Sequence, residues 1–201
     1  MGFCDEVARA LAGDGAVAAV DFEGETVDGV DAAKLEFESN HFTRCRFAGC
    51  DFTRAAFYNV HFLCCDFSNC IFEDSYWKHC EIKDCKGEGS DFSGAVFKET
   101  SICGSAMNYA NFARTAWTGC SLQSSSLREA VCSEVRFKNL TLAEVNFSGA
   151  EFFKTPLAGL DVSNCDISGI LVSESFRELR GLRVSALQAM ELARLLGVRI
   201  L

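Results

Sequence analysis

Residues 37–72 read FESNHFTRCRFAGCDFTRAAFYNVHFLCCDFSNCIF, with phenylalanine at every fifth position from Phe37 to Phe72. A spacing of five fits neither the 3.6-residue turn of an α-helix nor the alternation of a strand. A fixed period carried over many residues instead marks a repeat architecture. The register extends back through Val27 to Phe22 and forward through Trp77, Ile82, Phe92, Phe97, Ile102, Met107, Phe112 and Trp117 to Val172. From residue 22 to residue 172 it makes 31 quintets without a slip, and only Gly87 brings no side chain to the central position.

A second inward column lies two residues before each central one. It holds small or apolar residues such as Cys45, Cys50, Ala55, Val60, Cys65, Cys70, Ser75, Ala95, Ala110, Ala130 and Ala150, with Glu25 and Asn40 as poor fits. The quintet is therefore small, polar, large apolar, polar, polar, as in Cys50-Asp51-Phe52-Thr53-Arg54. This pattern resembles the pentapeptide-repeat family, whose consensus is Ala-(Asp/Asn)-(Leu/Phe)-x-x. The resemblance implies an all-β solenoid, a right-handed quadrilateral β-helix in which four quintets make one coil and the large and small residues fill a narrow shaft. The quintets then make seven to eight coils, a rod ~37 Å long at ~4.8 Å per coil. Such a rod needs capped ends, because an open coil is an unpaired sheet edge. At Gly87, either Met107 in the next coil fills the gap by its flexibility or the chain bulges.

Residues 1–19 read as an N-terminal cap: a short helix or turn with Val7, Ala10 and Leu11 on one side, ended by Gly13 and Gly15. Residues 20–174 are the repeat domain. Residues 175–201 read as a C-terminal α-helix and tail for capping and dimerisation. Ser185 and Gln188 form a capping box, and a helix over 186–196 stops at Gly197. Gln188, Glu191 and Arg194 make one narrow polar stripe, and a helix with so little polar face is buried from more than one direction. In the family's gyrase-protecting members, the Qnr and MfpA types and the similar albicidin-resistance proteins, a C-terminal helix and tail join two rods end to end. Leu195-Leu196-Gly197-Val198-Arg199-Ile200 looks like that ending. The resemblance makes Phe176, Leu187, Met190, Leu192, Leu195 and Leu196 the expected dimerisation residues, with Val198–Leu201 as a short strand-like tail.

The net charge is -9, and no run of 18 apolar residues occurs. Asp5, Glu6, Arg9 and Asp14 interrupt the first twenty residues. A membrane span and a signal peptide are thus not expected, and the expected location is cytoplasmic. Twelve cysteines without a secretion signal point to free thiols in a reducing compartment. Cys45, Cys65 and Cys85 stack ~4.8 Å apart, inside the Cα range of a disulfide, yet read as small core fillers. His41 and His61 stack on an outward position, with no carboxylate or third histidine to complete a metal site. No nucleophile triad, phosphate loop or dinucleotide fingerprint occurs, and a filled shaft has no pocket. The expectation is a non-enzyme without metal or cofactor, and its acidity argues against direct nucleic-acid binding.

Three of the four outward walls are acidic, and the fourth, with Lys78, Lys98, Arg136 and Lys138, carries a slight cationic excess. Ile71, Val131, Phe153 and Leu171 break the outward-polar rule on one acidic wall, the last two where a partner or the terminal segment would pack. What the resemblance implies is a DNA-mimicking homodimer that occupies the DNA-binding saddle of a type II topoisomerase, DNA gyrase or topoisomerase IV. There it opposes poisons of the albicidin, cystobactamid or fluoroquinolone kind. The expected binding residues on the acidic walls are Asp21, Glu23, Glu73, Asp74, Glu81, Asp84, Asp91, Glu134, Glu144 and Asp161. Qnr-type proteins carry projecting loops, and the unbroken register here is closer to the MfpA and albicidin-resistance types. The alternative is a pentapeptide-repeat scaffold for an unrelated protein–protein interaction.

Overall fold

The computed structural model describes residues 2–13 and 15–199. A helix, α1 (Phe3–Ala12), precedes sixteen three-residue strands. These begin with β1 (Ala16–Ala18), β2 (Asp21–Glu23), β3 (Thr26–Asp28), β4 (Glu36–Glu38), β5 (His41–Thr43), β6 (Arg46–Ala48), β7 (Ala56–Tyr58) and β8 (His61–Leu63). They continue with β9 (Tyr76–Lys78), β10 (Glu81–Lys83), β11 (Val96–Lys98), β12 (Ser101–Cys103), β13 (Ala116–Thr118), β14 (Ser121–Gln123), β15 (Arg136–Lys138) and β16 (Thr141–Ala143). A helix, α2 (Ala186–Leu195), follows the last coil.

Every pairing between these strands is parallel and joins residues twenty apart, as Phe37 with Phe57 and His41 with His61. Two walls are seven-stranded sheets, β1-β4-β7-β9-β11-β13-β15 and β2-β5-β8-β10-β12-β14-β16. Seven rungs are separated by six full turns. The other two walls are mostly single bridges, such as Asp51 with Ile71 and Asp66 with Lys86. From β1 to β16 the corner is made by the last residue of the quintet, which takes the left-handed region: φ is 57° at Arg54, 52° at Asn59 and 54° at Cys64. That reversal every five residues folds the chain into a square, and it leaves both inward columns pointing down the shaft.

Stacking fills the shaft. Ring centroids lie 4.8 Å apart for Phe42–Phe62 and Phe72–Phe92, and 4.1 Å for Phe57–Trp77, all near-parallel. Each buried indole needs an acceptor. The Trp77 Nε1–H donates to the Ser75 hydroxyl and the Trp117 Nε1–H to the Thr115 hydroxyl, both at 2.9 Å. A Cβ on Gly87 would lie 2.5 Å from Met107 Sδ and 2.6 Å from Phe67 Cε2, so the two neighbours fill the space. The Gly87 N–H still bonds Ala106 O at 2.8 Å, and the wall does not bulge.

At the N-terminal end the ladder starts at Ala16–Ala18, one quintet earlier than the central register suggests, with Val17 paired to Phe37. Helix α1 closes that end by inserting Phe3, fully buried and 5.3–6.3 Å from Phe47, Phe22, Phe42, Phe37 and Phe52. The buried face of α1 is Phe3, Glu6, Val7 and Ala10. Leu11, expected on that face, is exposed, because the face is set by Phe3 and runs at i+4 and i+7. Glu25, the poor fit of the inward column, accepts the Phe3 N–H at 2.7 Å and so caps the helix. Asn40 is fully buried, with Oδ1 unpartnered among the described residues.

At the other end both sheets stop at β15 and β16. Arg136 N–H bonds Thr115 O at 3.0 Å, but the residue twenty later is Pro156, which has no N–H to continue the rung. The following segment bonds forward with a slipped register. Leu127 N–H reaches Asn146 O, nineteen residues on, whereas Leu157 N–H reaches Glu178 O, twenty-one on. The slip arises in the turn before Phe176, itself left-handed with φ 52°. The coil therefore does not end at Val172. Leu179, Leu182 and Val184 pack on the core as an irregular last layer, and Asp161 bridges Arg183. Glu178 seals this layer: its carboxylate accepts the Lys154 N–H and the Ser173 hydroxyl, both at 2.9 Å, where Glu134 N–H one coil earlier uses the carbonyl of Phe153.

The capping box of α2 forms as expected, with Ser185 N–H to Gln188 Oε1 at 2.8 Å and Gln188 N–H to Ser185 Oγ at 3.3 Å. The polar stripe does not face solvent as one unit. Gln188 is buried under the helix, where its Nε2 donates to Val162 O (2.8 Å) and Cys165 O (2.7 Å), satisfying carbonyls at the rod's end. A cavity of about 30 Å³ lies in the shaft between Phe137, Leu142, Leu157, Val162 and Leu182.

Candidate functional site

With the shaft filled, whatever the rod recognises must meet its outer walls or its ends. The ten carboxylates expected to bind are all exposed or half-buried. Because residues twenty apart stack, many find an opposite charge on the next rung. Six of the ten are held this way or by a neighbouring segment. Asp21 Oδ1 is 2.8 Å from His41 Nδ1, and Glu81 Oε2 is 3.2 Å from His61 Nδ1. Glu23 pairs with Arg44, Asp74 with Arg54 (3.7 Å), Glu134 with Lys154 (3.1 Å) and Asp161 with Arg183 (3.8 Å). Such exposed pairs contribute only about 0–1 kcal/mol each. Arg44, Arg54, Lys154 and Arg183 locally neutralise the acidic field, whereas the two histidines do so only when protonated.

Glu73, Asp84, Asp91 and Glu144 have no ion pair among the described residues. Glu73 and Asp91 stand on one wall and Asp84 and Glu144 on the wall opposite, so uncompensated charge runs down two sides of the square. Backbone geometry fixes one of them: Asp84 Oδ1 lies where a Cβ on Gly104 would sit, at 2.3 Å, and Gly104 has φ 61°. Only glycine leaves that space open.

The sequence showed no carboxylate beside the two stacked histidines, and here the structure differs. Their rings are 5.1 Å apart, and Asp21 and Glu81 from the flanking rungs each take one Nδ1. No group of three or more His, Cys, Asp or Glu is placed to hold a metal among the described residues. The twelve cysteines are free thiols. Those of the stacked column point at carbonyls, Cys45 Sγ to Phe22 O (3.4 Å) and Cys65 Sγ to Phe42 O (3.2 Å). Burial pushes the Cys80 thiol up to about 11 and, with Glu151 nearby, the Cys132 thiol up to about 12, which makes both poor nucleophiles.

The expected dimerisation residues divide into two sets. Leu192 is half-buried against the core, and Phe176 is half-buried in the turn that starts the last layer. Leu187 is 71% exposed, and Met190, Leu195 and Leu196 are also exposed, so α2 presents apolar side chains interspersed with the exposed Glu191 and Arg194. Val198 is exposed too, while Ile200 and Leu201 lie outside the described residues. The terminal segment does not cover Phe153 or Leu171, which remain exposed with Ile71 on the same wall. No helix among the described residues is long and apolar enough to cross a membrane.

A family model for a pentapeptide repeat region matches residues 70–147, and one for pentapeptide repeats matches residues 41–74 and 130–169. Among solved structures, trypsin-treated QnrB1, described as a plasmid-mediated fluoroquinolone resistance protein, aligns at 23% identity with a TM-score of 0.50. The alignment covers 92% of this chain and 98% of that one. HetL, a pentapeptide-repeat protein involved in heterocyst differentiation regulation in the cyanobacterium Nostoc, aligns at 11% identity over 91% of this chain and 94% of its own, with a TM-score of 0.30. No curated protein sequence matches the chain.

Proposed function

Starting from the fact that this chain belongs to the pentapeptide-repeat family, we propose that it binds a type II topoisomerase, DNA gyrase or topoisomerase IV, as a DNA mimic and protects it from poisons. The observation that carries the reading is the placement of Glu73 and Asp91 opposite Asp84 and Glu144. Two rows of uncompensated carboxylate on opposite sides of a straight, regular rod imitate the two phosphate strands of a duplex. A basic DNA-binding surface is attracted to such a field over a Debye length. The exposed Leu187, Met190 and Leu195 of α2 support the second half of the reading, a homodimer joined through the C-terminal helix. That would lengthen the rod to the span of a duplex in a two-fold-symmetric enzyme.

The deciding experiment is supercoiling and poison-stabilised cleavage by gyrase and topoisomerase IV, with and without the protein. The expected result is less cleaved complex at a protein concentration where the Glu73→Gln, Asp84→Gln, Asp91→Gln, Glu144→Gln variant has lost most of its effect. Absence of binding and of protection against every poison tried would discard the reading in favour of a scaffold for another protein. Met190→Arg is expected to halve the mass measured by light scattering. An unchanged mass would remove α2 from the dimer contact.

A further inference from the structure

The one wall without an acidic excess has a constitution of its own. Beyond β7, the sheet β9-β11-β13-β15 turns outward Tyr76 and Lys78, Val96 and Lys98, Ala116 and Thr118, and Arg136 and Lys138. No acid points out from these four strands. The acids at the corners of this sheet are held elsewhere: Glu99 by His79 at 3.0 Å, Asp74 by Arg54 at 3.7 Å and Glu134 by Lys154 at 3.1 Å. Arg44, Arg54, Lys154 and Arg183 elsewhere on the rod each lie against a carboxylate. Lys78, Lys98, Arg136 and Lys138 have no ion pair among the described residues. Lys98 Nζ instead sits 5.3 Å over the Tyr76 ring. In a chain of net charge -9, four unneutralised cations share one flat sheet face with a half-buried apolar floor at Tyr76, Val96 and Ala116.

We infer that this face is a docking surface for an acidic, extended segment of a partner protein. Lys78, Lys98 and Lys138 stand in one column on rungs ~4.8 Å apart, so the first and last are ~14 Å apart. An extended peptide lying along the rod repeats its side chains on one face every ~6.8 Å, so acids at i, i+2 and i+4 span ~14 Å. Flexible lysine stems absorb the mismatch at the middle position. Residues between the acids point away from the wall, so the aliphatic stems of the acids themselves pass over Val96 and Ala116. A nucleic acid would bring the same sign of charge, but its long-range field is repelled by the three acidic walls, whereas a short peptide feels mainly the wall it touches. The inference does not depend on topoisomerase binding. The face is distinct from the two walls that carry the DNA-like charge.

The test is fluorescence anisotropy with a labelled peptide of alternating Glu and Val, against the same peptide with Gln for Glu and an oligothymidylate of equal charge. The rod variants are Lys78→Gln, Lys98→Gln, Lys138→Gln together, and a charge-matched control, Lys34→Gln, Lys83→Gln, Lys86→Gln. The expected result is binding of the acidic peptide alone, weakened about tenfold by the first variant and little by the control, with the difference shrinking in salt. Equal loss in both variants would show a nonspecific charge effect and overturn the proposal. So would tighter binding of the oligonucleotide, or no binding of the peptide. A change in oligomeric mass confined to the first variant would assign the face to a second copy of the rod instead. Circular dichroism of both variants checks that the rod remains folded.

Discussion

From Phe22 to Trp117 most central positions are aromatic, and rings such as Phe22–Phe42, Phe42–Phe62 and Phe72–Phe92 lie flat one coil apart; past Leu122 leucine, valine and isoleucine outnumber the phenylalanines Phe137, Phe147 and Phe152. The first region is closed by α1 with Phe3 driven into the stack. The second loses both sheets after β16, encloses a small cavity and is closed by a slipped layer held through Glu178 and Gln188. Flat phenylalanine pairs one coil apart repeat at 4.8–5.1 Å, which is the spacing the backbone ladder also demands, so side chains and hydrogen bonds reinforce one register. Branched aliphatic residues have no such match. A single proline is enough to end the ladder there. Side chains and backbone thus reinforce one register most strongly along the N-terminal two-thirds of the rod.

Single-residue deletions at the two ends would break this contrast most directly. Phe57→Ala removes a ring between Phe37 and Trp77 and is expected to cost about 3–5 kcal/mol by urea denaturation, against roughly 1 kcal/mol for Leu142→Ala on the half-exposed wall. Equal costs would refute the contrast. A smaller effect is expected from Glu178→Gln, about 1–2 kcal/mol, since it weakens charge-assisted bonds in a buried seal. Burial pushes the Glu178 carboxyl up, but bonds from backbone N–H groups and the Ser173 hydroxyl outweigh it and leave it below its ordinary value. A carboxyl depressed in the folded state stabilises fully above its unfolded value and loses that contribution as pH falls through the folded one. The gap between wild type and Glu178→Gln should therefore be full at neutral pH and close on acidification. A gap independent of pH would show that Glu178 is not ionised in the seal. The smallest effect is a gain: Val162→Ile extends into the cavity and is expected to add about 0.5 kcal/mol, read as slower hydrogen exchange at Arg183 and Leu182.

Much of this was legible before any coordinates. Phenylalanine at every fifth position left no other fold, because only a chain that turns every five residues buries all of them. The Ser185–Gln188 box and the inward thiols also follow from spacing, whereas at Gly87 spacing left filling and a bulge both open. Glu25 and Asn40 were visible as misfits, though the helix cap that explains Glu25 was not. The residues of the closing layer, Leu179 and Leu182, were readable only as apolar positions around three arginines, since their register differs from the repeat by two.

The candidate site was less legible. Summing charge by wall found the acidic sides but not which carboxylates are free, and the clue was present in pairs twenty residues apart, such as Asp21 with His41 and Glu81 with His61. Sequence by itself determined the period, the inward columns and the wall on which each outward residue stands, because a strictly local repeat maps position onto space. Only the tertiary structure decided the two ends and the neutralisation of charge. The ends depend on contacts the repeat does not relate, Phe3 with a distant stack and Glu178 with Lys154, and the charges on which neighbour a flexible side chain reaches, twenty residues away for Asp74 with Arg54 but twenty-one for Glu23 with Arg44.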